Sequence, residues 1–218
     1  MPTDTYHNLP DEKREFILDA ALSEFADHAY EAASISNIAR QAKIAKSNLY
    51  QCFEGKNDLY YTLIEYESEL RLTLLQALPS PNPNGDLFSY LRWLFLSEVY
   101  LELKHPKLAH LAHRASLEKI PLPDMTKELR RRGTTQFFKQ LLTQGILHGT
   151  IAPTVDPNAA AFLLETTYYQ VGRYIINRLQ LTPADGDAES IAENEDIQQI
   201  LDNLMDLLTE GMQARNQE

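Results

Sequence analysis

The sequence predicts an all-α protein: an N-terminal three-helix head that contains a helix-turn-helix, followed by a larger C-terminal helical body. Three observations predict the class. Apolar residues recur at spacings of three and four almost throughout the 218 residues. Glycine is sparse, at 8 residues, and β-branched runs of period two are missing. Pro, Gly and Asp/Asn clusters cut the periodic stretches into about nine helices. The expected division is residues 1–55 for the head and 56–218 for the body. A composition with 44% hydrophobic and 23% charged residues is that of an ordinary globular chain. One cysteine excludes an intrachain disulfide framework and a multi-cysteine zinc site. The apolar stretches fall short of a membrane span and no signal segment opens the chain, so a cytoplasmic protein without a membrane partner is expected.

The first amphipathic helix is expected from about Pro10 to His28, with Pro10 tolerated in the first turn and Asp11 and Glu12 favoured at the positive end of the helix dipole. Ile17, Ala20, Ala21, Leu22 and Phe25 form its apolar side. Two short helices follow near Ser36–Ala42 and Lys46–Phe53. A long helix begins near Lys56 and is stopped after about Leu78 by Pro79, Pro81 and Pro83. The next, about Asp86–Lys104, is apolar on nearly every face, which is the pattern of a helix surrounded by others. His105-Pro106 restarts a helix to about Lys119. Further helices are expected at Asp124–His148, Pro157–Leu179 and Ile191–Arg215.

Residues 31 to 59, EAASISNIARQAKIAKSNLYQCFEGKNDL, place two helices of about two turns on either side of a short turn, a helix-turn-helix stable only when packed on a further helix. Ile38, Ala39, Ile44, Leu49 and Phe53 are assigned to the core, which leaves Lys46, Ser47, Asn48, Tyr50 and Gln51 pointing outward. These side chains are of the kind that reach base edges and phosphates in a major groove. The net charge of −11 argues against a polyanion partner, but it is unevenly spread. Residues 33–57 carry Arg40, Lys43, Lys46 and Lys56 against Glu54 alone, whereas residues 1–32 carry two bases against eight acids.

On Leu49-Tyr50, Phe53 and Lys56, preceded by Ile38-Ala39 and by Ile17-Leu18-Asp19-Ala20-Ala21 and Phe25, residues 12–60 resemble the DNA-binding domain of TetR family transcriptional regulators. Over the rest of the chain the resemblance is one of helix number, length and order. It implies recognition-helix contacts from Lys46, Ser47, Asn48, Tyr50 and Gln51, with Tyr50 reaching a phosphate through its hydroxyl. It also implies phosphate contacts around Ser34, Ser36 and Asn37 at the start of the first short helix and a phosphate-clamping role for Lys56. The sequence departs from the family pattern at Ala29 and Lys43, where glycines usually stand, and at Ala45, where a serine cap is usual. A positive φ at Lys43 costs about 1 kcal/mol relative to glycine, and the missing cap about as much.

The resemblance further implies a small-molecule effector and a homodimer. Trp93, Phe95, Tyr100, Phe137, Phe138, Tyr168, Tyr169 and Tyr174, interspersed with Arg92, Glu98, His113, Gln136 and Gln144, give the mixture of aromatic and polar groups found in ligand pockets, although aromatics at helical spacing are also plain core. The candidate ligand residues are Trp93, Tyr100, His113, Phe137, Tyr168 and Tyr169. A single short recognition helix makes too few contacts for specificity, whereas two held about 34–36 Å apart by a two-fold read a palindrome. The last two long helices, with Phe162, Thr166, Tyr169, Ile197, Leu201, Leu204 and Leu208, are the expected dimer surface.

Other constellations are weaker. His110 and His113 lie one turn apart without a third metal ligand. The carboxylates Asp185, Asp187, Glu189, Glu193 and Asp196 lack the glycine and glutamate of a calcium loop and read as an acidic connector. Cys52 lies in the recognition helix and is read as a half-buried thiol. No phosphate loop, metalloprotease spacing or nucleophile–base set is present, so neither an enzyme nor a cofactor is expected. The sequence therefore points to a dimeric regulator, a repressor released from a palindromic double-stranded operator by a small apolar or aromatic molecule. The alternative is a helical carrier of apolar ligands that does not touch DNA.

Overall fold

The computed structural model describes residues 2–78, 87–117, 124–183 and 187–212. Among them the chain forms eleven helices: α1 Asp4–His7, α2 Asp11–Asp27, α3 Ile35–Gln41, α4 Lys46–Cys52, α5 Lys56–Ala77, α6 Leu87–Lys104, α7 Pro106–Leu117, α8 Asp124–Leu147, α9 Pro157–Leu179, α10 Ala188–Glu193 and α11 Glu195–Met212. The helices expected from periodicity are present with ends shifted by a few residues at most. The prolines expected to stop α5 lie outside the described residues, as does Asp185 of the acidic connector.

Two differences raise the number from nine to eleven. Helix α1 is a single turn, too short to show a hydrophobic period. The expected last helix is broken at Asn194, whose extended backbone ends α10 while its Oδ1 accepts from the Ile197 N–H at 3.0 Å. The Gln198 amide then bonds the Ala192 carbonyl at 2.8 Å, satisfying an orphan acceptor of α10.

Packing divides the chain into two compact units, Met1–Thr73 with His105–Asp124, and Leu74–Lys104 with Met125–Glu218. The first is larger than a head ending at residue 55, for a physical reason. Two-turn helices bury little by themselves, and the core of Ile17, Ala21, Phe25, Ile38, Leu49 and Phe53 is completed by Leu59, Tyr60 and Leu63 of α5 and Leu111 of α7. Tyr60 meets Phe25 and Tyr30 edge-on, with centroids 4.9 and 5.2 Å away.

In the second unit α6 is the central helix, with Leu91, Phe95 and Val99 fully buried and α9, α10 and α11 packed on it. Helix α9 lies close to α6 at Gly172, where a Cβ would lie 2.6 Å from the Glu98 carbonyl oxygen. Helix α9 starts at Asp156, whose carboxylate accepts from the Asn158 N–H at 2.9 Å, and stops at Gln180 with φ 55°. The apolar stripe of α11 turns inward. Ile197, Leu201 and Leu208, expected at the dimer surface, are buried in the core of their own unit. Of the expected surface residues Phe162 is exposed (69%), and the other large apolar side chains exposed on α9 and α11 are Leu163 (50%), Tyr174 (47%) and Leu207 (69%).

Candidate nucleic-acid interface

Helix α3 is anchored at its start by two side chains. Ser34 caps it, accepting from the Asn37 N–H at 3.4 Å, and Glu24 of α2 accepts from the Ser34 N–H at 2.8 Å and the Asn37 amide at 3.4 Å. Glu24 is 2% exposed, so one of the eight acids in residues 1–32 is a buried link between α2 and α3 rather than part of an acidic surface. Ser36 is exposed, while Ser34 and Asn37 are half-buried and hydrogen-bonded within the protein.

Helix α3 ends in a Schellman turn. The Lys43 N–H bonds the Arg40 carbonyl at 3.2 Å and the Ile44 N–H bonds the Ala39 carbonyl at 3.0 Å, with Lys43 at φ 55°. Ala29 needs no such conformation, because α2 closes on His28 in an extended backbone. Helix α4 starts at Ala45 without a side-chain cap. Its amphipathicity is clean: Leu49 and Cys52 are buried, whereas Lys46, Ser47, Asn48, Tyr50 and Gln51 are all exposed. Tyr50 is 50% exposed, and the Lys46 ammonium lies 5.8 Å from its ring centroid.

Two contacts hold this helix and were not read from the sequence. At the C-terminal end of α4, the Thr3 hydroxyl donates to the Gln51 carbonyl at 2.6 Å and the Thr3 N–H to the Cys52 carbonyl at 2.9 Å. The Tyr6 ring packs against Phe53 in a tilted arrangement, with centroids 4.9 Å apart. Beyond α4, the Lys56 ammonium donates to the carbonyls of Tyr30, Glu31 and Ala33 at 2.8, 3.1 and 3.3 Å and lies 4.6 Å from the Tyr30 ring centroid. Its three protons are thus directed to the backbone that leads into α3. Burial, with the nearby Glu31 charge, pushes the Tyr30 hydroxyl above its ordinary value, and that hydroxyl donates to Asn57 Oδ1. Cys52 is buried more deeply than expected, at 3% exposure, and burial raises its thiol pKa.

The candidate ligand residues divide between the units. His113 lies on α7 in the first. The other five belong to the second. Phe137 is within 6.3 Å of Tyr90 and 5.4 Å of Phe138, and the aromatic series continues from Phe138 through Tyr168 to Tyr169. Trp93 packs against Tyr90 in a tilted arrangement at 5.6 Å, and its buried Nε1–H has no hydrogen-bond partner among the described residues. Tyr100 is half-buried beside the same core. The Tyr169 hydroxyl bonds Thr134 at 3.1 Å. Arg92 turns away to Asp202 and Gln198 of α11, and Gln136 and Gln144 are exposed. His110 Nε2 accepts from Arg114 at 3.4 Å. No helix among the described residues is long and apolar enough to cross a membrane.

Comparisons with known proteins agree with this fold. The model of the bacterial regulatory proteins of the tetR family matches residues 17–61, and that of the tetracyclin repressor-like C-terminal domain matches residues 85–213. A TetR family transcriptional regulator from Chloroflexus aurantiacus J-10-FL is 35% identical, with a TM-score of 0.86 over 99% of this chain and 100% of that one. AibR, solved with isovaleryl coenzyme A and operator DNA, shares the fold at 20% identity and a TM-score of 0.65, over 89% of this chain and 97% of that one. The A-factor receptor protein of Streptomyces griseus is 27% identical over 163 residues, which is 70% of this chain and 51% of the receptor, so the chain spans about half the length of that relative. The two family matches together take in both ends of the helical plan, and the chain belongs to the TetR family of transcriptional regulators.

Proposed function

We propose that the protein is a ligand-responsive repressor acting in the cytoplasm, with Lys46, Ser47, Asn48, Tyr50 and Gln51 reading the major groove of a palindromic operator. The observation that carries this reading is the exposure of those five side chains on a helix whose Leu49 and Cys52 are buried. Ser36 and Asn37 contribute backbone contacts from α3, and Lys56 acts by holding residues 30–33 to the start of α5. Two copies pair through α9 and α11, where Phe162, Leu163, Tyr174 and Leu207 leave apolar surface on helices otherwise committed to the core. The effector is a small apolar or aromatic molecule bound near Trp93, Tyr100, Phe137, Tyr168 and Tyr169, where the buried Trp93 N–H supports a hydrogen-bond acceptor on the ligand. It releases DNA only as far as it prefers the conformation whose recognition helices are out of register.

A duplex selected from a random-sequence pool by the intact protein tests this reading. Fluorescence anisotropy is expected to give salt-sensitive, sequence-selective binding to a palindrome, and a Lys46→Ala, Tyr50→Phe double variant is expected to lose most of it. Selection of no consensus, or equal affinity for every duplex, would overturn the proposal in favour of an apolar-ligand carrier.

A further inference from the structure

We infer that Lys43, in the turn between α3 and α4, is a phosphate contact retained at the expense of the head's stability. The inference rests on the DNA-binding reading above. Lys43 occupies the C′ position of the Schellman turn at φ 55°, where glycine is favoured because any Cβ is crowded in the left-handed region. Asparagine would also serve the turn, with less strain than lysine. A residue that breaks the local rule calls for a compensating function, and the inference runs from the observed outlier to that function.

The side chain has no structural task. Lys43 is exposed, and its ammonium makes no hydrogen bond or ion pair among the described residues. Gln180, the other non-glycine residue at positive φ among the described residues, is a useful contrast. Its amide donates to the Asn177 carbonyl at 2.5 Å, so there the side chain is used within the fold. Lys43 instead stands three residues after the exposed Arg40 and three before the exposed Lys46, and residues 32–53 contain no carboxylate at all. Lys46 is a second local exception, a cation in the first turn of a helix, where the dipole disfavours positive charge. In a chain of net charge −11, two locally unfavourable lysines three residues apart, on the turn and at the start of the recognition helix, form with Arg40 a basic stretch whose partner is a polyanion. Lys43 lies before α4 rather than on it, which suits the sugar-phosphate backbone and not a base edge.

Lys43→Gly, Lys43→Arg and, as a charge control on α7, Lys107→Gln test the inference. The selected duplex and a scrambled one of equal length serve as probes, with thermal melting measured in parallel. Lys43→Gly is expected to raise the melting temperature by about 2–4 °C and to weaken both duplexes by the same factor. Its plot of log affinity against log salt should be shallower by about 0.9 for each head engaged. Lys43→Arg is expected to keep parental affinity and slope, and Lys107→Gln to keep the slope. If the parent binds the selected duplex and Lys43→Gly leaves affinity and slope unchanged, the inference is wrong and the DNA-binding reading stands. An equal change of slope in Lys107→Gln would also overturn it, by assigning the effect to bulk charge. If the parent binds no duplex, the reading on which the inference rests has failed.

Discussion

Thr3 and Gln51 lie 48 residues apart in sequence, and the Thr3 hydroxyl donates to the Gln51 carbonyl at 2.6 Å. With the Thr3 N–H on the Cys52 carbonyl, this bond satisfies acceptors that the end of a seven-residue helix otherwise leaves to water. The recognition helix is therefore fixed from outside the helix-turn-helix. Thr3→Val is expected to lose about 0.5–1.5 kcal/mol and to speed amide exchange within residues 46–53. Tyr6→Ala, which empties the site against Phe53, is expected to lose about 3 kcal/mol or more. Unchanged exchange in Thr3→Val would mean that α4 is held without the N-terminal turn.

Lys56 and Tyr30 make the second external tie. Three carbonyls surround the Lys56 ammonium, with the Tyr30 ring 4.6 Å away, so removing the charge leaves three acceptors short of a donor. Lys56→Met is expected to lose about 1.5–3 kcal/mol of stability while the salt slope of DNA binding stays at the parental value. Chemical denaturation and anisotropy measured on the same preparation check both halves. A shallower slope with parental stability would make Lys56 a phosphate clamp instead.

These ties explain what the sequence could and could not tell. The outward set on α4 was legible because Leu49 and Phe53 mark the buried side of a short helix, and a helix fixes the direction of the residues between them. Lys43 was legible as a left-handed residue because the turn needs one whatever occupies it. The Thr3 and Lys56 contacts were not, since they pair residues more than twenty positions apart and leave no periodic trace. Glu24 looked like one surface acid among many until Ser34 met it. Helix α11 misled for another reason: a wide apolar stripe shows how much of a helix is covered, but not whether its own chain or a second copy covers it.

Gly172 and the Glu98 carbonyl set how closely α9 can lie on α6. A methyl group at position 172 would lie 2.6 Å from that oxygen and 2.9 Å from its carbon, and backbone cannot swing aside as a side chain can. Gly172→Ala gains helix propensity yet is expected to lose a net 1–3 kcal/mol, roughly, as the two helices are forced apart. Thermal unfolding measures the loss. Gly145→Ala is the informative comparison, because the atom it meets first, at 2.7 Å, is the side-chain Cγ1 of Ile151. It is expected to be the milder change, and the reverse order would remove the close-approach argument.

Asp156 begins α9 and gives the stability of that helix a defined pH dependence. The hydrogen bond from the Asn158 N–H, followed by that from the Asn158 side chain, holds the Asp156 carboxyl below its ordinary value of 3.8. The folded form therefore prefers the ionised carboxylate more than the unfolded chain does. Its contribution is complete above the unfolded value and drains away as pH falls through the lowered one. Asp156→Ala is expected to melt below the parent at neutral pH by an amount that stays constant down to about pH 5 and shrinks in stronger acid. Asp187, capping α10 through the Ser190 hydroxyl and N–H, is shifted in the same direction, so the double alanine variant should show the same window with a larger deficit. A deficit equally large at pH 2 and pH 7 would assign the loss to packing rather than to the charged cap.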